Sequence, residues 1–91
     1  RRLWLSLMKS NFTKTIFRMG NRNNENIKFG RRITELRLKQ GLSQENLAFQ
    51  SGINRTYMGE IERGEKSPTI VTIAKIAKGL GISIKQVMDY E

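Results

Sequence analysis

The chain has 91 residues, enough for one small domain, and it contains neither cysteine nor histidine. That absence excludes disulfides, the common zinc sites, and Cys–His or Ser–His–Asp catalytic centres, so we expect no cofactor, no metal and no enzymatic activity. Seventeen Lys/Arg against eight Asp/Glu give a formal net charge of +9, which favours nucleic acid or an anionic membrane as the partner.

Residues 1–26 form a predicted N-terminal extension. Apolar residues recur there at every fourth position, as on one face of a helix: Trp4, Met8, Phe12 and Ile16. Three interpretations stay open: a frayed tail, a helix that packs on the domain or on a second copy, and a membrane-surface helix. No apolar run approaches the roughly 18 residues that span a bilayer. The polar stretch 20–26 predicts a linker before the main domain, residues 27–91.

Spaced apolar residues and capping residues then predict five short helices and no strand. The first helix presents an apolar face and ends at Gly41. Its apolar residues are Phe29, Ile33 and Leu36. One core surrounded by short helices is the expected architecture, so we predict an all-α domain.

Two more predicted helices flank a tight turn. The second helix follows a Ser43 cap and ends at Gly52, and the third follows an Asn54 cap and ends at Gly64. The third helix opens with basic and polar side chains. This is the layout of a helix-turn-helix, in which the first helix braces on phosphates and the second lies in the DNA major groove.

The last two predicted helices follow Pro68. Thr69 caps the fourth helix, which ends at Gly81. We expect its inward face to comprise Ile70, Ile73, Ile76, Ala77 and Leu80. Ser83 and Gln86 form a capping box for a short fifth helix that bears Val87 and Met88.

Several spaced features within residues 27–88 agree with one known family. They are Leu36-Arg37, Leu42-Ser43-Gln44, Leu47-Ala48, Gly52, Ile61-Glu62, Gly64, Pro68 and Ile76-Ala77. On these residues the chain resembles the Cro and phage-repressor-type (XRE) helix-turn-helix domains, which implies a five-helix, lambda-repressor-like DNA-binding fold. With RTY opening the third helix and IERGEKSP following it, the chain looks most similar to the controller proteins of restriction–modification systems.

The resemblance implies a cytoplasmic, bacterial or phage-encoded regulator of transcription. Its expected partners are double-stranded DNA with a palindromic operator, a second copy of the chain, and RNA polymerase; no membrane partner is expected. Two alternatives stay open. One is a repressor of a phage or mobile element, and the other is an antitoxin-like regulator that binds a partner protein.

Three residues of the third helix are predicted to contact bases. Arg55 follows the cap and can bond bidentately to guanine, although a solvated or phosphate-bound arginine is the alternative. Thr56 can offer its methyl group to a thymine or its hydroxyl to a base, or it is an ordinary first-turn threonine. Glu60 can accept from a cytosine, or it only disfavours other sequences or orients Arg55. Gly59 between them indicates either close approach of DNA or tight helix packing.

Six further residues are predicted to contact the DNA backbone. The resemblance places Gln44 on a phosphate, aided by the free N–H groups at a helix start. The alternative for Gln44 is an ordinary surface glutamine. The six are Ser43, Gln44, Asn54, Tyr57, Arg63 and Lys66.

An ion pair within the domain and an interface between two copies of the chain are also predicted. The resemblance implies that Arg37 and Glu62 form a buried or half-buried ion pair between the first and third helices. Apolar residues near the end of the chain predict a homodimer interface, unless they only seal the domain. They are Ile82, Ile84, Val87, Met88 and Tyr90.

Overall fold

A computed structural model describes residues 24–90, which form five α-helices and, over that range, no strand. The helices are α1 (Asn24–Lys39), α2 (Gln44–Ser51), α3 (Arg55–Glu62), α4 (Ile70–Leu80) and α5 (Ile84–Val87). The all-α prediction and the number of helices in the domain are therefore confirmed. The apolar stripe of the N-terminal extension, and the three interpretations of it, lie outside the described residues.

The first helix begins earlier than the sequence predicted. Asn24–Asn26 form its first turn, so the linker predicted for residues 20–26 cannot extend past residue 23. Asparagine is common in turns, but Glu25 in the first turn interacts favourably with the helix dipole. Ile27 then lies against Gly64 beyond the end of α3: a Cβ on that glycine would be 2.7 Å from Ile27 Cγ1.

Local side chains set the starts of the other four helices. At each start a side-chain oxygen of the N-cap residue accepts a hydrogen bond from the N–H three residues further along. The four caps are Ser43, Asn54, Thr69 and Ser83. Ser83 and Gln86 form the predicted capping box. Gly52 and Gly81 end α2 and α4 in the left-handed conformation, with φ of 69° and 72°.

Every helix contributes to one apolar core. The largest fully buried side chains are Ile33, Leu47, Met58, Ile61, Ile76 and Val87. Each such side chain is worth about 1.5–3 kcal/mol of burial relative to an exposed position. Ile70, predicted to point inward, is instead 65% exposed. It is the first residue of α4, and the face that packs on the core begins one turn later, at Ile73.

Two polar side chains, one in α1 and one directly after it, cap the ends of two other helices. Arg32 is buried, and its Nη2 and Nε donate to the carbonyl oxygens of Gln86 (2.7 Å) and Val87 (3.2 Å). Gln40 Nε2 donates to the carbonyl oxygen of Leu80, at 2.8 Å. These carbonyls lie at the ends of α5 and α4, where the helix itself supplies no partner. Neither the Arg32 contacts nor the Gln40 contact was predicted from the sequence.

Candidate nucleic-acid interface

The turn between α2 and α3 holds the two helices in a fixed relation. Residues 52–54 connect them, and the N–H of Ile53 donates to the carbonyl oxygen of Ala48 at 3.0 Å. Leu47 and Ala48 from α2, with Met58 and Ile61 from α3, are buried in the common core. Because both helices are anchored on their inner faces, their outer faces form one rigid surface.

The outer face of α3 carries the predicted base-contacting residues. Arg55 and Thr56 are exposed, and Glu60 on the same helix is half-buried. The negative charge of Glu60 also contributes to raising the pKa of Arg63, one turn further along. The helix therefore presents both positive and negative groups to solvent along one side.

Two of the predicted backbone-contacting residues also act as helix caps. Ser43 Oγ accepts from the N–H of Asn46 at 3.0 Å, and Asn54 Oδ1 accepts from the N–H of Tyr57 at 3.2 Å. Both residues are exposed, so the hydroxyl proton of Ser43 and the amide nitrogen of Asn54 still face solvent as donors. Lys66 is exposed, whereas Tyr57 is half-buried against the core.

Arg63 forms an exposed ion pair with Glu65. Its Nε lies 2.7 Å from Glu65 Oε2. The pKa of Arg63 is raised above its ordinary value, chiefly by this hydrogen bond, against a smaller effect of burial, with the charges of Glu65 and Glu60 adding to the rise. A phosphate that binds Arg63 must therefore compete with Glu65.

Glu62, the last residue of α3, accepts hydrogen bonds from two other helices. Arg37 Nε lies 2.9 Å from Glu62 Oε2 and its Nη2 lies 3.1 Å from Oε1, which is the ion pair expected from the family resemblance. The hydroxyl of Thr34 (2.9 Å) and Nε2 of Gln44 (3.1 Å) also donate to Oε1. Neither of these two partners was predicted from the sequence. Thr34 lies one helical turn before Arg37, and this spacing is the one feature of the sequence that places it on the same side of α1 as Arg37.

Gly59 is covered by side chains of the domain. A Cβ at this position would lie 3.1 Å from Arg63 Nη1 and 3.4 Å from Gln44 Oε1. The glycine is buried, so of the two interpretations, close packing is the one that these contacts support. The packing brings the start of α2 against the middle of α3.

The predicted dimer surface is smaller than the sequence suggested. Val87 is fully buried and belongs to the core, so its side chain is not available to a second copy. Ile84 and Met88 are 38% and 43% exposed, and Ile82 and Tyr90 are half-buried beside them in the chain. A four-residue helix has only one inward position here, and Val87 occupies it.

Tyr90 is half-buried against the core. Its pKa is raised above the ordinary value by burial first and by the charge of Glu25 second, while Arg32 opposes the shift. At neutral pH the phenol is uncharged and keeps its proton as a hydrogen-bond donor.

Four other apolar side chains are exposed, and none of them was predicted from the sequence to lie at the surface. They are Leu38, Phe49, Ile70 and Val71, and Phe49 on α2 is 86% exposed. Among residues 24–90, no group of carboxylates is placed to hold a metal ion, and no helix is long and apolar enough to cross a membrane.

Comparisons with known proteins agree on the kind of domain. A helix-turn-helix family model (HTH_3) matches residues 33–87. Control protein C.BamHI of Bacillus amyloliquefaciens is 41% identical over 69 residues, covering 75% of this chain and 85% of the relative. Control protein C.MunI of a Mycoplasma species is 39% identical over 68 residues, covering 74% and 92%.

A solved structure extends that likeness to three dimensions. The crystal structure of the restriction–modification controller protein C.AhdI from Aeromonas hydrophila matches with a TM-score of 0.71 and 44% identity. The match covers 72% of this chain and all of that chain.

Proposed function

Because this chain belongs to the helix-turn-helix (HTH_3) family of DNA-binding transcription regulators, we propose that it is a homodimeric controller of restriction–modification gene expression. It binds a palindromic operator in double-stranded DNA. The family is regulatory, and the protein acts by binding, without catalysis. Its place is the cytoplasm of a bacterial cell, where that DNA lies.

The observation that carries the proposal is the orientation of α3. Arg55 and Thr56 face solvent while Met58 and Ile61 of the same helix are fully buried. An α-helix with its side chains is about 10–12 Å across, and the major groove is about 12 Å wide. A helix anchored on one side and polar on the other is therefore suited to enter that groove.

Each polar residue of the interface has a proposed role. Arg55, Thr56 and Glu60 contact base edges and specify sequence. The remaining residues contact phosphates and set the register of the protein on the duplex. They are Ser43, Gln44, Asn54, Tyr57, Arg63 and Lys66.

The proposal of a dimer rests on the small number of base pairs that one domain can contact. A single domain contacts only a few base pairs, whereas two domains about 34–36 Å apart contact two half-sites one helical turn apart. The relatives support a controller of this kind, since the matches cover 85% of C.BamHI and 92% of C.MunI. A regulator bound upstream of a gene acts on transcription, so RNA polymerase is the third partner that we propose.

Selection of binding sites from random-sequence DNA tests this proposal. We expect a palindromic consensus with two half-sites, and we expect Arg55→Ala to relax the base preference at one position per half-site. Gln44→Ala should instead weaken all sequences alike, because it removes a phosphate contact. Recovery of no consensus, with an untagged second protein co-purifying from the native operon, would favour the antitoxin-like alternative.

A further inference from the structure

Gln44 lies between the proposed DNA surface and a buried carboxylate. It is the first residue of α2 and is half-buried. Its Nε2 donates to Glu62 Oε1 at 3.1 Å, and the Glu62 side chain is only 4% exposed. One end of the amide is therefore tied to the interior, next to the place where a phosphate would bind.

The chemistry of the partners fixes which way the amide points. An ionised carboxylate only accepts hydrogen bonds, so the nitrogen end of the Gln44 amide must face Glu62. The oxygen end is then directed to Gly59, where a Cβ would lie 3.4 Å from Oε1. Glu62 uses one of the two N–H groups of the amide. The other is left as a donor of fixed direction at the start of α2.

The carboxylate of Glu62 is itself held from α1. Arg37 binds it through two nitrogens, at 2.9 and 3.1 Å, and Thr34 donates to it at 2.9 Å. Arg37 Nη1 also donates to the carbonyl oxygen of Leu42 at 2.9 Å, just before α2 begins. The same arginine thus anchors both Glu62 and the backbone that leads into Gln44.

We propose that Glu62 is a positioning residue for the DNA-backbone contact made by Gln44. It holds the Gln44 amide in one orientation before DNA binds, so that the free N–H meets a phosphate beside the first N–H groups of α2. A side chain ordered in advance loses less conformational entropy on binding. This inference rests on the proposed function. Glu62 is buried and does not touch DNA itself.

A double-mutant cycle in the full chain tests the proposal. The variants are Glu62→Gln, Gln44→Ala and the two combined. Glutamine keeps the volume of Glu62 but replaces one acceptor oxygen by an NH2 donor, so in this geometry it cannot accept from both nitrogens of Arg37 and from Gln44 at once. The probes are a duplex recovered by the wild type from random DNA and an unrelated duplex of equal length. Binding is measured at a temperature where circular dichroism shows each variant to be folded.

We expect each single variant to weaken binding to both duplexes by about 3- to 10-fold, the net contribution of one typical hydrogen bond. The double variant should bind no more weakly than Gln44→Ala. Ethylation of the phosphate that faces α2 should weaken binding of the wild type. It should have no such effect on either single variant, because the contact to that phosphate is already lost. Gln40→Ala is the control: it removes the hydrogen bond to the carbonyl oxygen of Leu80, which involves neither Glu62 nor Gln44, so it should lower the melting temperature and leave DNA affinity unchanged.

Three results would overturn the proposal: wild-type affinity in folded Glu62→Gln, effects that multiply in the double variant, or an equal loss of affinity in Gln40→Ala. Wild-type affinity of Gln44→Ala would also overturn it but would leave the proposed function intact. Failure of the wild type to bind any duplex would end both.

A measurement on the wild type keeps the test decisive if Glu62→Gln does not fold. The two side-chain amide protons of Gln44 should have well-separated NMR shifts and slow exchange with solvent, both before and after DNA is added. Shifts like those of an unstructured glutamine would overturn the proposal.

Discussion

At the scale of single residues, the carboxylate of Glu62 connects α3 to α1 and α2. Its two oxygens accept four hydrogen bonds, from Arg37, Thr34 and Gln44. A buried ion pair is a weak source of net stability, because desolvation of both charges offsets their attraction. Removal of one partner is costly, because it leaves the other charge buried and unpaired.

Replacement of Glu62 by alanine should therefore destabilise the fold severely. Arg37, whose side chain is 14% exposed, would keep its charge without the carboxylate, and we expect a loss of roughly 3–5 kcal/mol in the free energy of unfolding. Urea denaturation followed by circular dichroism measures it. Glu60→Ala is the control, since that residue has the same charge and lies in the same helix. Equal midpoints for the two variants would contradict the structural role of Glu62.

Ser51 presents the opposite case, a polar group that the domain would do better without. The residue is 5% exposed, and within residues 24–90 its hydroxyl has no hydrogen-bond partner. Gly79 of α4 packs against it so closely that a Cβ there would clash with the Ser51 hydroxyl. The two helices approach each other through the smallest side chains available.

Ser51→Ala should therefore stabilise the protein by about 1 kcal/mol, because it removes a buried donor that lacks a partner and leaves no large void. Thermal and urea unfolding measure the change. Ser43→Ala is the contrast, because Ser43 caps α2, and its loss should cost about 1 kcal/mol. A lower stability for Ser51→Ala than for the wild type would show that the hydroxyl has a partner in solution.

At the scale of helices, the sequence predicted the features that depend on residues close together in the chain, above all the starts of the helices. Ser43, Asn54 and Ser83 start helices where their side chains bond to nearby N–H groups, and those starts were readable because partner and cap lie three residues apart. The burial of Val87 was not readable. Which side of a four-residue helix faces inward depends on how α5 docks on the rest of the domain, not on its own pattern.

The buried guanidinium of Arg32 holds α5 against α1. It donates to the carbonyl oxygens of Gln86 and Val87, which lie 54 and 55 residues further along the chain. An arginine in a basic chain gives no sign that it will be buried, since this side chain is mostly exposed in proteins. Its place is explained by the carbonyl oxygens of Gln86 and Val87 at the end of α5, to which it donates, and by Glu35, which lies 3.3 Å from Arg32 Nη1. Long-range partners of this kind are visible only once the helices are assembled.

Arg32→Met should therefore loosen α5 from α1. The methionine would fill part of the space but would leave Glu35 and two carbonyl oxygens without their donor, at a cost of about 3 kcal/mol. Amide hydrogen exchange should show faster exchange in α5, and denaturation should show the lower stability. Arg31→Met is the control at a neighbouring exposed position, where we expect a change below about 1 kcal/mol. Unchanged exchange in α5 would contradict the docking role.

At the scale of the whole molecule, the fold separates two surfaces. The α2–α3 face carries the polar residues proposed to contact DNA, whereas Ile84 and Met88 expose apolar area near the end of the chain. The net charge of +9 belongs to the chain as a whole and says little about either surface. Positions of individual side chains, such as Arg55 and Gln44, carry the functional argument, and they follow from the family pattern more than from the charge.

The distinction between the two surfaces gives a prediction for assembly. Ile84→Glu places a charge at a position that is 38% exposed, so the monomer should still fold. It should no longer pair, because a dimer interface would bury that carboxylate without a partner. Val71→Glu makes the same chemical change at a residue of α4 that is 61% exposed, and it should leave pairing intact. Sedimentation at micromolar concentrations distinguishes monomer from dimer.

The same pair of variants connects assembly to DNA binding. Two linked modules bind more tightly than either alone by about 100-fold or more, because the second contact becomes intramolecular. Ile84→Glu should therefore lose about that factor on a two-half-site duplex and little on a single half-site, while Val71→Glu binds both as the wild type does. A dimer that survives Ile84→Glu would place the interface elsewhere, and the exposed apolar residues of the earlier helices, led by Phe49 at 86% exposure, would be the next positions to vary.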